Sequence, residues 1–146
     1  MSGESEEPEE QKERPLGKVD VILRILGQDL VPEEVTTLLG LTPSQAFKRG
    51  DPFTAGGRSV PRAFGVWTLS THGRVQSEDL TEHCRYLLNW VSPIRDRLKV
   101  YLARPDVSVA VAFWWEPTDG PAGFTLPSDV VQELTRICGE FEFYFA

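Results

Sequence analysis

Cysteine, histidine and long apolar runs are all scarce in this chain of 146 residues, and each scarcity closes off a class of function. Cys84 and Cys138 are the entire cysteine complement, with no Cys-x-x-Cys spacing for zinc or dithiol redox chemistry and too few for a disulfide framework. Both fall on the apolar stripes of predicted helices, where a free thiol acts as a small hydrophobe. His72 and His83 are the histidines, and no His-x-x-x-His pair exists. Asp79 and His83 stand four apart and read as a solvated, salt-bridged helix face rather than a metal site. The longest apolar runs, such as residues 107–115, reach about half of the roughly 20 residues that a membrane helix needs. A basic start followed by an apolar stretch, the mark of a secretory signal, is missing as well. The expectation is a cytoplasmic protein with no membrane partner.

Positive charge is short too. The formal net charge is −7, of which six glutamates against Lys12 and Arg14 place −4 in the first 14 residues and leave −3 for the rest. A broad phosphate-neutralising surface is therefore disfavoured, and no nucleic-acid partner is expected. Gly56-Gly57-Arg58 is glycine-rich but lacks the Gly-Lys-Ser/Thr and following helix of a phosphate cradle. It is read as a flexible loop. Ser70 and His72 are two apart on a strand and share a face, yet no third orienting group completes a nucleophilic set. No cofactor and no catalytic residue is expected.

What is present organises as an acidic, disordered tail over residues 1–16 and one α+β domain over residues 17–146. Val19, Val21, Leu23 and Ile25 alternate with Asp20, Ile22, Arg24 and Leu26, the period of a strand. Pro32-Glu33-Glu34 suits a helix start, with Val35, Leu38 and Leu39 as its buried stripe and Gly40 as a left-handed cap. A second strand is expected over residues 44–48, a loop over residues 51–62, and a third strand over residues 65–71. Ser77 is read as the N-cap of the strongest helix, whose Leu80, Cys84, Leu87, Leu88 and Val91 line one face. Ser92-Pro93 breaks and restarts that helix. Residues 107–115 alternate as a central strand whose small residues Ser108, Ala110 and Ala112 would let a helix lie close. Val130, Leu134, Ile137 and Cys138 mark a last helix closed by Gly139, and Phe141, Phe143 and Phe145 form one face of a final strand. The expected order is β-α-β-β-α-α-β-α-β, a mainly antiparallel sheet with helices packed on one face.

The first strand with Gly27, the helix from Pro32 to Leu39-Gly40-Leu41, Pro43, Lys48-Arg49-Gly50-Asp51, Trp67-Thr68-Leu69-Ser70 and Leu87-Leu88 leading to Pro93 together resemble the uncharacterised bacterial family called domain of unknown function 4279. The similarity runs from about residue 18 to the C-terminus. Where that family places an acidic cap before the first helical proline, this chain has Val31. The resemblance implies no activity and no cofactor.

Two constellations remain as candidate sites. Lys48, Arg49, Arg58 and Arg62 flank one loop, with Trp67 on the next strand, and arginine beside an aromatic plane suits an anionic or planar group. Trp114 and Trp115 are adjacent, so on a strand they face opposite ways: one closes the core and the other sits at a rim where it can anchor a protein partner. The expected function is that of a non-catalytic interaction module, regulatory or toxin-neutralising. A small-anion or nucleotide binder using the basic loop is the alternative, and an enzyme comes third.

Overall fold

A computed structural model describes residues 18–118 and 123–145; the expected acidic tail over residues 1–16 lies outside the described residues. The chain runs β1 (Lys18–Gly27), α1 (Pro32–Leu39), β2 (Gln45–Phe47), β3 (Pro52–Ala55), β4 (Arg58–Pro61), β5 (Gly65–Ser70), α2 (Leu80–Val91), a 3-10 turn (Ser92–Ile94), α3 (Arg95–Leu102), β6 (Val107–Glu116), α4 (Ser128–Leu134) and β7 (Glu140–Phe145). Five strands form one sheet in the order β2-β5-β1-β6-β7, and β3 and β4 pair apart from it. Every pairing in the large sheet is antiparallel except β6 with β7. This is the α+β architecture expected, with a hairpin added between β2 and β5. The middle position belongs to β1, while β6 lies next to it with a partner on each side.

The period-2 pattern decides which side of the sheet the helices take. Val19, Val21, Leu23 and Ile25 of β1, Trp67 and Leu69 of β5, and Val109, Val111 and Phe113 of β6 all point into one core. Against them α1 packs Val35 and Leu39, α2 packs Leu80, Cys84, Leu87, Leu88 and Val91, α3 packs Leu98 and Tyr101, and α4 packs Val130 and Leu134. The apolar spacing read for α2 is therefore its buried stripe. Gly40 caps α1 at φ 70°, its N–H bonded to the Thr36 carbonyl. Gly65 is required by proximity: a β-carbon there would fall on the Leu30 carbonyl oxygen.

Several local expectations are corrected. Residues 51–62 are not an irregular loop but the β3–β4 hairpin, with Ala55 opposite Arg58. Gly56 and Gly57 take φ of 59° and 77°, the left-handed pair demanded by a two-residue turn that matches strand twist. The N-cap of α2 is Asp79, whose carboxylate accepts from the Thr81 N–H, while the Ser77 hydroxyl accepts from Asp79 itself. The last helix stops at Leu134, and Ile137 and Cys138 are buried from the turn that follows it. Ala110 and Ala112 do not admit a helix: all the helical packing lies on the other face, so these small residues leave a low floor on the uncovered side.

His83 is not on a solvated face either. It is 1% exposed and closes a chain of hydrogen bonds that ties α2 to the sheet. The Val21 N–H donates to the Thr71 hydroxyl oxygen at 2.9 Å. Thr71 Oγ1 lies 2.6 Å from His83 Nδ1, and His83 Nε2 lies 2.7 Å from the Ser77 carbonyl. A carbonyl only accepts, so the ring proton is on Nε2, and Nδ1 accepts from the Thr71 hydroxyl. Each polar atom along this hydrogen-bonded path is thereby satisfied.

Candidate binding site on the open sheet face

The uncovered face carries the other half of every strand. Asp20, Ile22, Arg24 and Leu26 of β1 stand level with Val66, Thr68 and Ser70 of β5 and with Ala110, Ala112 and Trp114 of β6. Glu140, Glu142 and Tyr144 of β7 continue the same rows. Strand twist curves this surface, and a groove of 660 Å³ lies along it. Its floor is Ile22, Val66 and Ala112; Phe47 and Arg62 bound one end, and Trp114, Tyr144, Asp20 and His72 the other. No helical residue lines it.

Arg24 is the half-buried centre of the site. Its Nη2 donates to Glu142 Oε1 at 2.6 Å, and the Tyr144 hydroxyl donates to the same oxygen at 2.9 Å. Burial works against the Arg24 charge, but the hydrogen bonds and attraction of Glu142 and Tyr144 outweigh it and raise the guanidinium pKa. For Glu142, burial pushes upward, yet the bonds from Arg24 and Tyr144 prevail and hold the carboxyl below its ordinary value. Arg24 Nε is buried and has no acceptor among the described residues.

Arg62 repeats that feature at the groove's end. Hydrogen bonds between the Arg62 backbone and Gly50 and Asp51, each 2.8 Å, fix the base of the hairpin. The guanidinium carbon lies 3.6 Å from the centre of the Phe47 ring and 4.8 Å from that of Phe53. Such stacking suits the flat, weakly hydrated guanidinium and fixes its plane. Its Nε too is buried without an acceptor. Buried donors of this kind are rare because each forfeits its hydration.

At the far end the Trp114 and Tyr144 rings lie 5.8 Å apart and 23° from parallel, and Trp114 donates to Glu116 at 3.2 Å. His72 Nδ1 lies 3.2 Å from Asp20 Oδ2. The Ser70 hydroxyl accepts the His72 backbone N–H; the imidazole faces Asp20, an arrangement that orients the ring without activating the serine. Among the described residues no three of His, Cys, Asp and Glu gather as metal ligands, and no helix is long and apolar enough to cross a membrane. Burial pushes the Cys84 thiol up to about 12 and the Cys138 thiol up to about 11, so both stay protonated and unreactive at neutral pH.

The basic set read from the sequence is split by the fold. Arg62 reaches the groove, but Trp67 points to the opposite face, fully buried, with its indole N–H donating to Thr36 Oγ1 at 3.0 Å. Arg49 pairs with Asp29 at 2.9 Å. Lys48 is exposed beside the hairpin, and Arg58 is exposed next to its turn. Of the two adjacent tryptophans, Trp115 is buried against Phe124, ring centres 5.2 Å apart, and Trp114 stands on the open face. Arg24, Glu142 and Tyr144 were missed. Their signal was an arginine between Ile22 and Leu26 on β1, together with an alternating Glu-Phe-Glu-Phe-Tyr run on β7, two strands away.

These features define a small α+β protein in which helices roof one face of a sheet and an arginine-bearing groove occupies the other. The chain belongs to the DUF4279 family, a domain of unknown function, whose model matches residues 17–145. No curated protein and no solved structure matches it.

Proposed function

We propose that this chain is a non-catalytic, cytoplasmic binding protein whose open sheet face holds a ligand bearing an anionic group. One observation carries the reading: the groove on the open face brings together two half-buried arginines, one stacked on Phe47 and Phe53 and one paired with Glu142, over a largely apolar lining. A guanidinium whose plane is fixed in this way is poised to hold an oxygen anion. The groove also has the size usual for small-molecule sites, about 300–1,000 Å³, and joins an apolar floor to a few polar groups. Two buried free thiols fit a reducing compartment.

Thermal unfolding in the presence of carboxylates, phosphates and nucleotides tests the proposal. A ligand at a hundredfold its dissociation constant should add about 2.7 kcal/mol to stability. Ala112→Leu, which raises the floor, should remove the shift while the protein still unfolds cooperatively. If no member of the panel shifts the transition, the reading fails.

A second reading, recognition of a protein partner, rests on β7. It is the last strand of the sheet, and its Phe143, Tyr144 and Phe145 are exposed, Phe145 at 67%. An aromatic sheet edge suits strand addition by an extended peptide.

A further inference from the structure

Resting on that reading of the open face, we infer that its ligand is an elongated amphipathic monocarboxylate, its acid group at Arg62 and its apolar body laid along the floor toward Trp114. Charge decides between anion classes. Among the groove's ionisable groups, Arg24 is already paired with Glu142 and Asp20 faces His72. Of the two arginines in the groove, Arg62 alone has no acidic partner among the described residues. One uncompensated positive charge matches one carboxylate. A dianionic phosphate or a polyphosphate at Arg62 would bring surplus negative charge into a groove that already carries Asp20 and Glu142, and the nearby Lys18, over the Trp114 ring, stands at the far end.

Shape supplies the rest. Arg62 lies over Phe47, which is level with Val66 and Leu26, whereas Trp114 is level with Asp20. Six residues of β1 separate those rows, about 20 Å of strand. Between them the floor runs from Val66 across the Arg24–Thr68 row to Ile22, Ser70 and Ala112, so an extended, mostly apolar chain with one polar atom midway covers it, and a compact ion does not. The near-parallel Trp114 and Tyr144 rings give the far end a flat wall. The Arg24 guanidinium, midway and partly exposed, meets a carbonyl, ether or hydroxyl oxygen along the chain. Stacking between Phe47 and Phe53 holds the Arg62 fork in place before the ligand arrives, which limits the ordering cost of binding.

Calorimetric titration of the full chain with straight-chain carboxylates of 6, 8, 10 and 12 carbons, below their micellar concentrations, tests the inference against the matching primary alcohols, AMP and inorganic phosphate. The carboxylates should bind, tightening about two- to fourfold for each added methylene until the groove is filled. The alcohols should bind at least tenfold more weakly. Arg62→Gln should cut carboxylate affinity by tenfold or more and leave the alcohols unchanged, and Trp114→Ala should weaken the longest members only. Alcohols equal to carboxylates, or AMP or phosphate bound in preference with sensitivity to Ala112→Leu, would overturn the ligand class while leaving the open face as the binding site. Absence of binding by every probe would overturn both.

Discussion

The two faces of the sheet are built from the same strands and obey opposite rules. On the covered side, Val21, Leu23, Ile25, Trp67, Leu69 and Val111 are wholly buried beneath four helices, and the polar atoms there are satisfied by the Thr71–His83 chain and the Trp67–Thr36 bond. On the open side, Ile22, Arg24, Val66 and Trp114 are only half-buried, and two guanidinium Nε–H groups go without acceptors. A protein gains stability from the first arrangement and forgoes some in the second. The difference is one of polarity as well as cover. The arginines of the open face are stacked or salt-bridged into fixed positions, and the proposed binding role rests on them.

That contrast breaks most sharply on tryptophan, because Trp67 and Trp114 share a residue type and a sheet but not a side. Trp67→Ala should cost about 3–5 kcal/mol, since a fully buried ring leaves a cavity and orphans Thr36. Trp114→Ala should cost about 1 kcal/mol, chiefly its stacking on Tyr144. Urea unfolding midpoints of the two variants measure this. Equal losses would mean that the open face is structural after all.

Next in size is the link between α2 and the sheet. Thr71→Val keeps the shape but removes both partners in the middle of the chain, stranding the Val21 N–H and His83 Nδ1. A loss of about 2 kcal/mol is expected, read from the same unfolding curves. His83→Gln in addition to Thr71→Val should then cost much less than His83→Gln alone, because the two residues act as one network. Additive losses would show that the network is not coupled.

Periodic elements were legible in the sequence because burial imposes their pattern: the alternation of β1, the stripe of α2 and the glycine end of α1 all stand where the residues put them. The hairpin was hidden, since β3 and β4 are exposed almost throughout and no hydrophobic period marks them. Gly56-Gly57 was its signal, and composition alone made that pair look like slack. The candidate site was harder still. Arg62 was legible as a cation near an aromatic plane, but its ring partners are Phe47 and Phe53. Trp67 was drawn into the set because sequence spacing does not say which face of β5 meets the helices. Arg24 looked like an ordinary outward residue, and its pairing with Glu142 spans 118 positions, a distance no local pattern encodes.

The Arg24–Glu142 pair gives a smaller, pH-dependent effect. Glu142 has a depressed folded-state pKa, so its contribution is present above the ordinary carboxylate value and is lost as pH falls through the lower folded value. With Glu142 about a third exposed, the contribution at neutral pH should be about 1 kcal/mol. Wild type should therefore exceed Glu142→Gln by that amount at pH 7, and the gap should close toward pH 3. A gap that persists at low pH would assign the effect to packing rather than to charge.

The smallest expected change in stability belongs to Arg62→Gln, and it is the most diagnostic of what the open face is for. The substitution removes stacking on Phe47 and Phe53, worth about 0.5–1 kcal/mol at a partly exposed site. It also removes a buried donor without an acceptor, whose penalty is about 1–3 kcal/mol when fully paid. The two opposing terms are of similar size because Arg62 is half-buried and its penalty is correspondingly partial. Chemical unfolding should thus place Arg62→Gln within about 0.5 kcal/mol of wild type, a residue held in position at no net benefit to the fold. A fall of 2 kcal/mol or more would make Arg62 a structural strut for the hairpin and withdraw the argument that its guanidinium is kept for a ligand.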